Sequence, residues 1–274
     1  MNVIKAQWFT LCALFFSTIL QAHAIEPVAI IHKQIISDEI PVISIVIDDL
    51  GNHLDNGKRA VNLPGAITYA FLPHMPYSER LAHQAHMQNK EVMLHLPMES
   101  ETEHLLGPGG LTSNLDEMEF KNTMRKSINS IPFARGFNNH MGSLLTSNTK
   151  LMRWVMQTAM FRNDLYFVDS RTTRDSVALI EATKRGIRGT RRDLFLDYEK
   201  NSAVIHQQLK LLIKKAHKKG SVLAICHPYK QTLYALEKWL PTLEKTGIKL
   251  VPVSQLISIR KARSNLTWQL SSSR

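Results

Sequence analysis

The chain alternates short apolar stretches with longer amphipathic ones. The most apolar stretch, residues 42–47, is mostly β-branched, which is typical of a strand buried on both faces. Two carboxylates, Asp48 and Asp49, follow it directly, and Gly51 then permits a turn. Adjacent like charges are costly unless a cation or a shifted pKa relieves them. The pair therefore indicates either a metal site or, less specifically, a helix-capping Asp beside a solvated one.

Strand-like and helix-like stretches continue in alternation to the end of the chain. Further strands are predicted over residues 66–72, 91–94, 134–137, 165–168, 187–190, 221–226 and 248–251. Helices are predicted over residues 55–62, 77–88, 115–128, 149–161, 176–185, 201–219, 233–246 and 253–259, and a long loop over residues 96–112. Such alternation requires parallel strands with helices packed outside. About seven or eight units predict an α/β fold with barrel-like closure rather than an open sheet.

The N-terminus has the features of a secretory signal peptide over residues 1–24. Lys5 supplies positive charge, residues 8–20 form an apolar run, and Ala22-His23-Ala24 matches a cleavage pattern. The run is short for a membrane span, which needs about 20 residues. We therefore favour a cleaved signal over an uncleaved anchor and expect no transmembrane anchor after cleavage. Residues 25–40 lack a clear period and are predicted to form an irregular lead-in.

The number of cysteines indicates which cellular compartment to expect. Cys12 lies in the predicted signal, so the exported chain would keep only Cys226 and could form no internal disulfide. Export without a disulfide framework favours a periplasmic location over a disulfide-rich extracellular one.

The charge balance is strongly basic. The chain has 34 Lys and Arg against 23 Asp and Glu, a formal net charge of +11. This balance favours anionic partners such as acidic glycans or phospholipid head groups. No nucleic-acid recognition motif is present, so we expect no nucleic-acid partner. Arg171, Arg191 and Arg192 have two open interpretations, contact with substrate anions or solvated surface charge.

Titratable residues follow five of the predicted strands. They are Asp48, Asp49, His95, His140, Asp169 and His227. The C-terminal ends of strands in a parallel α/β barrel form one face, where active sites are built. One Asp and two His make a suitable set for a divalent metal such as zinc, with a position left for water. A second carboxylate can then act as general base and another His as general acid.

These segments resemble the polysaccharide deacetylase superfamily of NodB type, and in particular its divergent branch. The segments are Ile47-Asp48-Asp49-Leu50-Gly51, Leu94-His95-Leu96-Pro97-Met98-Glu99, Asn138-Asn139-His140-Met141-Gly142-Ser143, Val168-Asp169-Ser170-Arg171-Thr172 and Ile225-Cys226-His227-Pro228. The resemblance covers residues 41–258, and residues 259–274 remain as a predicted basic, loose tail. It implies a single-domain, distorted (β/α)7-like barrel of parallel strands and metal-assisted removal of acetyl groups from amino sugars.

The resemblance also assigns roles to single residues. Asp48 matches the base, Asp49 the metal carboxylate and His95 the first metal imidazole. His227 matches the acid, and Asp169 matches the carboxylate that would orient it.

Two departures from the usual pattern follow. Glu99 stands four residues after His95, where the family usually has a second metal His. His140 is the first candidate for the missing imidazole and Glu99 the second. The usual Arg-Pro segment is also absent, with Arg135-Gly136-Phe137 in its approximate place.

The predicted function is a periplasmic metal-dependent deacetylase-like hydrolase. Its partner would be a polysaccharide or peptidoglycan-type glycan, and its cofactor a divalent metal, with Zn²⁺ favoured. The missing second His favours an alternative, a glycan-binding or envelope-scaffold protein without turnover. Another metal-dependent hydrolysis, such as esterase activity, remains a third class, because a fold does not determine a function.

Overall fold

The computed structural model describes residues 40–102 and 105–272. The predicted signal and the lead-in up to residue 39 lie outside these residues. The strands are β1 Val42–Leu50, β2 Thr68–Phe71, β3 Glu91–Met98, β4 Ala134–Met141, β5 Tyr166–Asp169, β6 Gly189–Arg191, β7 Leu194–Phe195, β8 Ser221–Cys226 and β9 Lys249–Leu250. The α-helices are α1 Leu54–Val61, α2 Ser78–Met87, α3 Glu117–Asn129, α4 Thr149–Ala159, α5 Ala178–Lys184, α6 Ser202–Lys219, α7 Lys230–Trp239 and α8 Val253–Ser272.

All strand pairs of the sheet are parallel. The strand order is β6-β5-β4-β3-β2-β1-β8-β7, with β9 beside the start of β1. The sheet curls into a half-barrel, which confirms the predicted α/β fold and the distorted (β/α) barrel. All carboxyl ends of the strands therefore lie at one rim, as the location of the titratable residues requires.

Apolar side chains of the sheet alternate between two buried clusters, as the two-residue period of a strand dictates. In β1, Ile43, Ile45 and Ile47 belong to the large cluster that includes residues of the surrounding helices. Val42 and Val46 belong to a smaller cluster with residues of β8 and the start of α8. Burial on both faces explains the nearly continuous apolar sequence of β1.

Helix α6 shows how local sequence fixes an element. Its N-cap, Asn201, accepts hydrogen bonds from the backbone N–H groups of Ala203 and Val204 at 2.8 and 3.3 Å. Gly220 ends it in the left-handed region, at φ +74°. One apolar face is buried along the helix, through Ile205, Leu209, Leu212 and Ala216. The helix predicted over residues 233–246 is interrupted near Pro241, since α7 ends at Trp239 and a 3₁₀ helix, Leu240–Thr246, follows.

The C-terminal segment differs from the prediction of a loose tail. Helix α8 continues past Ile259 to Ser272, and its sequence from Val253 contains neither Gly nor a further Pro to stop it. Arg260 anchors the helix to the sheet through an ion pair with Asp193 and a 3.1 Å hydrogen bond to Ser221 Oγ. Among the described residues, no helix is both long and apolar enough to cross a membrane.

An ion pair between α1 and α7 gives the fold a measurable pH dependence. Arg59 donates Nε and Nη2 to the carboxylate of Glu237 at 2.6 and 2.8 Å, and the hydrogen bond to Arg59 lowers the pKa of Glu237 below 4.5. Both side chains are 36% exposed, so solvent screening limits the contribution. We expect Glu237→Gln to lower the free energy of unfolding at pH 7 by at most about 1 kcal/mol.

The sign of this dependence follows from the direction of the pKa shift. A lowered folded-state pKa stabilises the protein above the unfolded-state value, and the contribution disappears as the pH falls through the folded-state value. Urea unfolding of wild type and Glu237→Gln should therefore differ at pH 7 and converge in acid. A difference that grows in acid would contradict the assignment.

Candidate metal centre

Asp48 and Asp49 lie at a β-bulge near the end of β1. Ile47 pairs with Tyr69 and Leu50 pairs with Phe71, so β1 advances from 47 to 50 while β2 advances from 69 to 71. Asp49 adopts φ +57°, which Asp tolerates better than most residues. The bulge breaks the alternation expected of neighbouring strand residues. As a result, both carboxylates face the same imidazole, that of His95.

Three candidate ligand atoms converge at this point. Asp49 Oδ1 lies 3.1 Å from His95 Nε2 and 2.9 Å from His140 Nδ1, and the two nitrogens are 3.1 Å apart. A tetrahedral zinc ion with bonds of about 2.0–2.1 Å places its ligand atoms about 3.3 Å apart. Asp49 Oδ1 is also buried without a well-formed hydrogen bond to any described residue. The donor types, their spacing and this unsatisfied oxygen all fit a divalent cation.

Asn138 connects the candidate ligand His95 to Asp48. His95 Nδ1 lies 2.8 Å from Asn138 Oδ1, and Asn138 Nδ2 donates to both Asp48 oxygens at 2.9 and 3.1 Å. An amide oxygen only accepts, so His95 carries a proton on Nδ1. This leaves Nε2, which lies towards Asp49 and His140, as the atom that a metal ion would bind. The side-chain oxygen of Asn138 thus orients the imidazole of His95, and its side-chain nitrogen donates to the carboxylate of Asp48. Parallel pairing of β3 with β4 aligns these residues, because His95 is in register with Asn138.

Burial and neighbouring opposite charges shift the pKa values of Asp48, Asp49 and His95. Burial raises the pKa of Asp48 above its ordinary value, against the opposing effect of His95. Burial opposes protonation of His95, but the charges of Asp48 and Asp49 outweigh it and raise the pKa of His95 to about 9. Burial also opposes ionisation of Asp49, yet His140 and His95 hold its pKa well below the usual range. A proton and a metal ion therefore compete for the imidazole nitrogen of His95.

His227 lies on the other side of Asp49, at the end of β8. Its Nε2 is 3.8 Å from Asp49 Oδ2, and its Nδ1 is 3.1 Å from Asp197 Oδ1. Asp197 Oδ2 also accepts the backbone N–H of His227 at 2.7 Å and the hydroxyl of Thr232 at 2.8 Å. Burial opposes protonation of His227, but the hydrogen bond to Asp197 and the charge of Asp49 raise its pKa. The ring is thus held with Nε2 directed towards the centre.

The carboxylate beside His227 corrects the sequence-based assignment of Asp169. Asp197 makes this contact, whereas Asp169 accepts from the backbone N–H of Arg171 and the hydroxyl of Ser176, each at 2.8 Å. The strand order explains why Asp197, and not Asp169, lies beside His227, because β7 pairs with β8 while β5 lies between β4 and β6. Asp197 follows β7 and so reaches His227.

Glu99 does not join the candidate ligand set. Its Oε2 accepts the backbone N–H of Ser113 at 2.6 Å, while the group that could hold a metal consists of Asp49, His95 and His140. Arg192 is also structural, since it donates to the carbonyls of Ser170 and Arg171 at 2.6 and 2.9 Å.

The cluster becomes more accessible from the sheet outwards. The side chains of Asp48 and His95 are 3% exposed, against 30% for Asp49, 17% for His140 and 15% for His227. A pocket of about 160 Å³ opens over Asp49 and His140, with Leu72, Met75, Leu106 and Pro108 among its lining residues. An apolar cavity of similar volume, about 150 Å³, is large enough to bind benzene. A small acyl group would therefore fit beside the candidate metal ligands.

The sequence of this domain matches a known family. The sequence model described as divergent polysaccharide deacetylase matches residues 45–257, most of the chain. The chain belongs to this family. YibQ of Escherichia coli K12, an uncharacterized protein, is 37% identical over 216 residues, which cover 79% of this chain and 67% of YibQ.

Two solved structures extend the comparison of this chain to the fold. The uncharacterized protein Atu2773 from Agrobacterium tumefaciens C58 superposes with a TM-score of 0.76 at 22% identity, over 80% of this chain and 89% of that one. The peptidoglycan deacetylase PdaC from Bacillus subtilis gives a TM-score of 0.52 at 15% identity, over 85% and 97%. At these identities the similarity establishes a shared fold.

Two residues at this centre, Asn138 and Asp197, were not among the predicted site residues. Asn138 had a detectable signal, because it stands two positions before His140 and therefore faces the same side of a strand. For Asp197 the sequence favours a supporting or capping carboxylate over a metal ligand. It gives no link to His227, because β7 has only two residues, Leu194–Phe195.

Proposed function

We propose that this protein is a periplasmic, metal-dependent deacetylase-like hydrolase that acts on an N-acetylated cell-envelope glycan. The observation that carries the proposal is the convergence of Asp49 Oδ1, His95 Nε2 and His140 Nδ1 beside a second carboxylate, Asp48. Family membership, the fold shared with PdaC and the predicted signal peptide support the substrate class and the location.

In this proposal Asp49, His95 and His140 would hold the cation, with zinc best suited to the nitrogen and oxygen donors. When bound, it would polarise the substrate carbonyl and lower the pKa of water. Asp48 accepts the proton of the attacking water, and its raised pKa brings it closer to neutral pH, where a general base works best. His227 Nε2 donates a proton to the departing amine nitrogen, while Asp197 keeps the ring oriented.

Acetate release tests this proposal. Purified protein loaded with zinc should release acetate from at least one member of a panel of N-acetylglucosamine oligomers and peptidoglycan fragments, and His95→Ala should release none above the uncatalysed rate. Equal acetate from the two proteins across the whole panel would contradict enzymatic function. It would favour the alternative of a glycan-binding or scaffold protein.

The orienting role of Asp197 gives a separate prediction. Asp197→Asn should lower kcat by at least about 10-fold with little change in zinc affinity, because His227 loses the carboxylate that fixes its tautomer; comparable substitutions reach about 10⁴-fold. Asp169→Asn is the matched control, since its carboxylate bonds Arg171 and Ser176 instead. A larger loss of kcat in Asp169→Asn than in Asp197→Asn would reverse the assignment.

A further inference from the structure

The loop that follows β5 is tied to both neighbours of His140. The backbone N–H of Ser170 donates to Asn139 Oδ1 at 2.9 Å, and the hydroxyl of Thr172 donates to the carbonyl of Met141 at 2.9 Å. Arg171 stands between these two anchors. Its backbone is therefore fixed at the rim beside a candidate metal ligand.

The backbone of Arg171 is strained. Its φ is +52°, a left-handed conformation that costs a residue with a Cβ roughly 1–2 kcal/mol. Two charged side chains maintain it, since Asp169 Oδ1 accepts its N–H at 2.8 Å and Arg192 Nη2 donates to its carbonyl at 2.9 Å. Strain that the surroundings enforce is concentrated at functional sites. These contacts fix the point at which the Arg171 side chain leaves the backbone.

The guanidinium of Arg171 is available for a ligand. Arg171 is partly buried, yet its side chain has no hydrogen bond or ion pair with any residue in 40–102 or 105–272, whereas Arg192 uses its donors on two carbonyls and lies 4.7 Å over the ring of Phe195. An arginine without such partners keeps its five N–H donors for a ligand. Its planar fork matches the two oxygens of a carboxylate or phosphate.

We propose that Arg171 is a specificity residue that binds an oxyanion on the substrate, so that the preferred glycan is acidic near the N-acetyl group that is removed. This inference rests on the proposed function and adds the chemistry of the substrate to it. A carboxylate and a phosphate fit the same fork. The net charge of +11 favours approach of either.

Calorimetric binding to the zinc-loaded protein tests the inference without turnover. The ligands are N-acetylglucosamine, which is neutral, N-acetylmuramic acid, which carries a carboxylate, and N-acetylglucosamine 6-phosphate. At least one acidic sugar should bind at least about 10-fold more tightly than the neutral one, the effect of one charge-assisted contact. Which of the two binds more tightly distinguishes carboxylate from phosphate.

Variants show whether Arg171 is responsible. Arg171→Met should bring the affinity ratio of acidic to neutral sugar to about one, and Arg171→Lys should retain part of it because the charge remains without the fork. Arg174→Met, at an exposed position in the same loop, should keep the wild-type ratio. Equal affinity of wild type for all three sugars, or an unchanged ratio in Arg171→Met, would overturn the inference. Acid-selective binding that is lost in Arg171→Met, together with no acetate release across the panel described above, would uphold the binding role of Arg171 and contradict only the proposed hydrolysis.

Discussion

Replacing His140 by alanine is expected to lower zinc affinity by more than about 100-fold and to abolish acetate release. The substitution removes one of three converging donor atoms and leaves only Asp49 Oδ1 and His95 Nε2. Loss of a residue that merely supports a metal ligand already costs about 10–100-fold, so loss of a ligand should cost more. Titration with zinc in the presence of a competing chelator measures the affinity.

Glu99→Ala provides the matched control for this prediction. Glu99 stands where the second metal His of the family is usual, but its carboxylate accepts the backbone N–H of Ser113. Its removal should therefore leave zinc affinity within about 3-fold, less than the loss of even a supporting residue. Tight zinc binding by His140→Ala together with weak binding by Glu99→Ala would transfer the ligand role to Glu99.

Replacing Asp48 by asparagine is expected to lower kcat by about 10²–10⁴-fold, the usual contribution of a general base. The side chain keeps its shape but loses the ability to take a proton from water. Zinc affinity should change much less, because Asp48 is not among the converging ligand atoms. Acetate release at saturating zinc measures kcat, and metal analysis of the same sample verifies loading.

Two results would contradict the assignment of Asp48 as a general base that does not bind the metal. If Asp48→Asn loses zinc as completely as His140→Ala, then Asp48 binds the metal and cannot be the free base. If it keeps both zinc and full kcat, another group accepts the proton. Asn138→Ala provides the comparison, because it removes both hydrogen bonds to Asp48 and also the contact that orients His95. It should therefore lower zinc affinity as well as kcat, whereas Asp48→Asn should lower kcat with much less change in zinc affinity.

The overall architecture could be predicted because its signals are local. The apolar run of β1 and the amphipathic period of α6 each specify an element from a few consecutive residues. Their alternation then restricts the topology to parallel strands.

The predicted ends of two strands differ from those in the structure. Strand β3 continues past His95 to Met98, and β4 continues through Asn138, Asn139 and His140 to Met141. Backbone pairing between these two strands holds both extensions.

The candidate site could be predicted as a set of strand ends but not as a set of contacts. Asp48, Asp49, His95, His140 and His227 do meet at one rim, since parallel topology requires it. Which carboxylate reaches His227 depended on the pairing of β7 with β8. This pairing joins Leu194 to Ala224 across 30 sequence positions, and no local pattern encodes it. The bulge at Asp48 and Asp49 could not be predicted either, because it is defined by the pairing of β1 with β2 and not by a local sequence pattern.

A crystal structure of the protein soaked in zinc, with anomalous diffraction at the zinc edge, tests the central claim most directly. The account predicts one strong anomalous peak within about 2.0–2.2 Å of Asp49 Oδ1, His95 Nε2 and His140 Nδ1 together. A peak elsewhere, or these three atoms without a shared ion at saturating zinc, would contradict it.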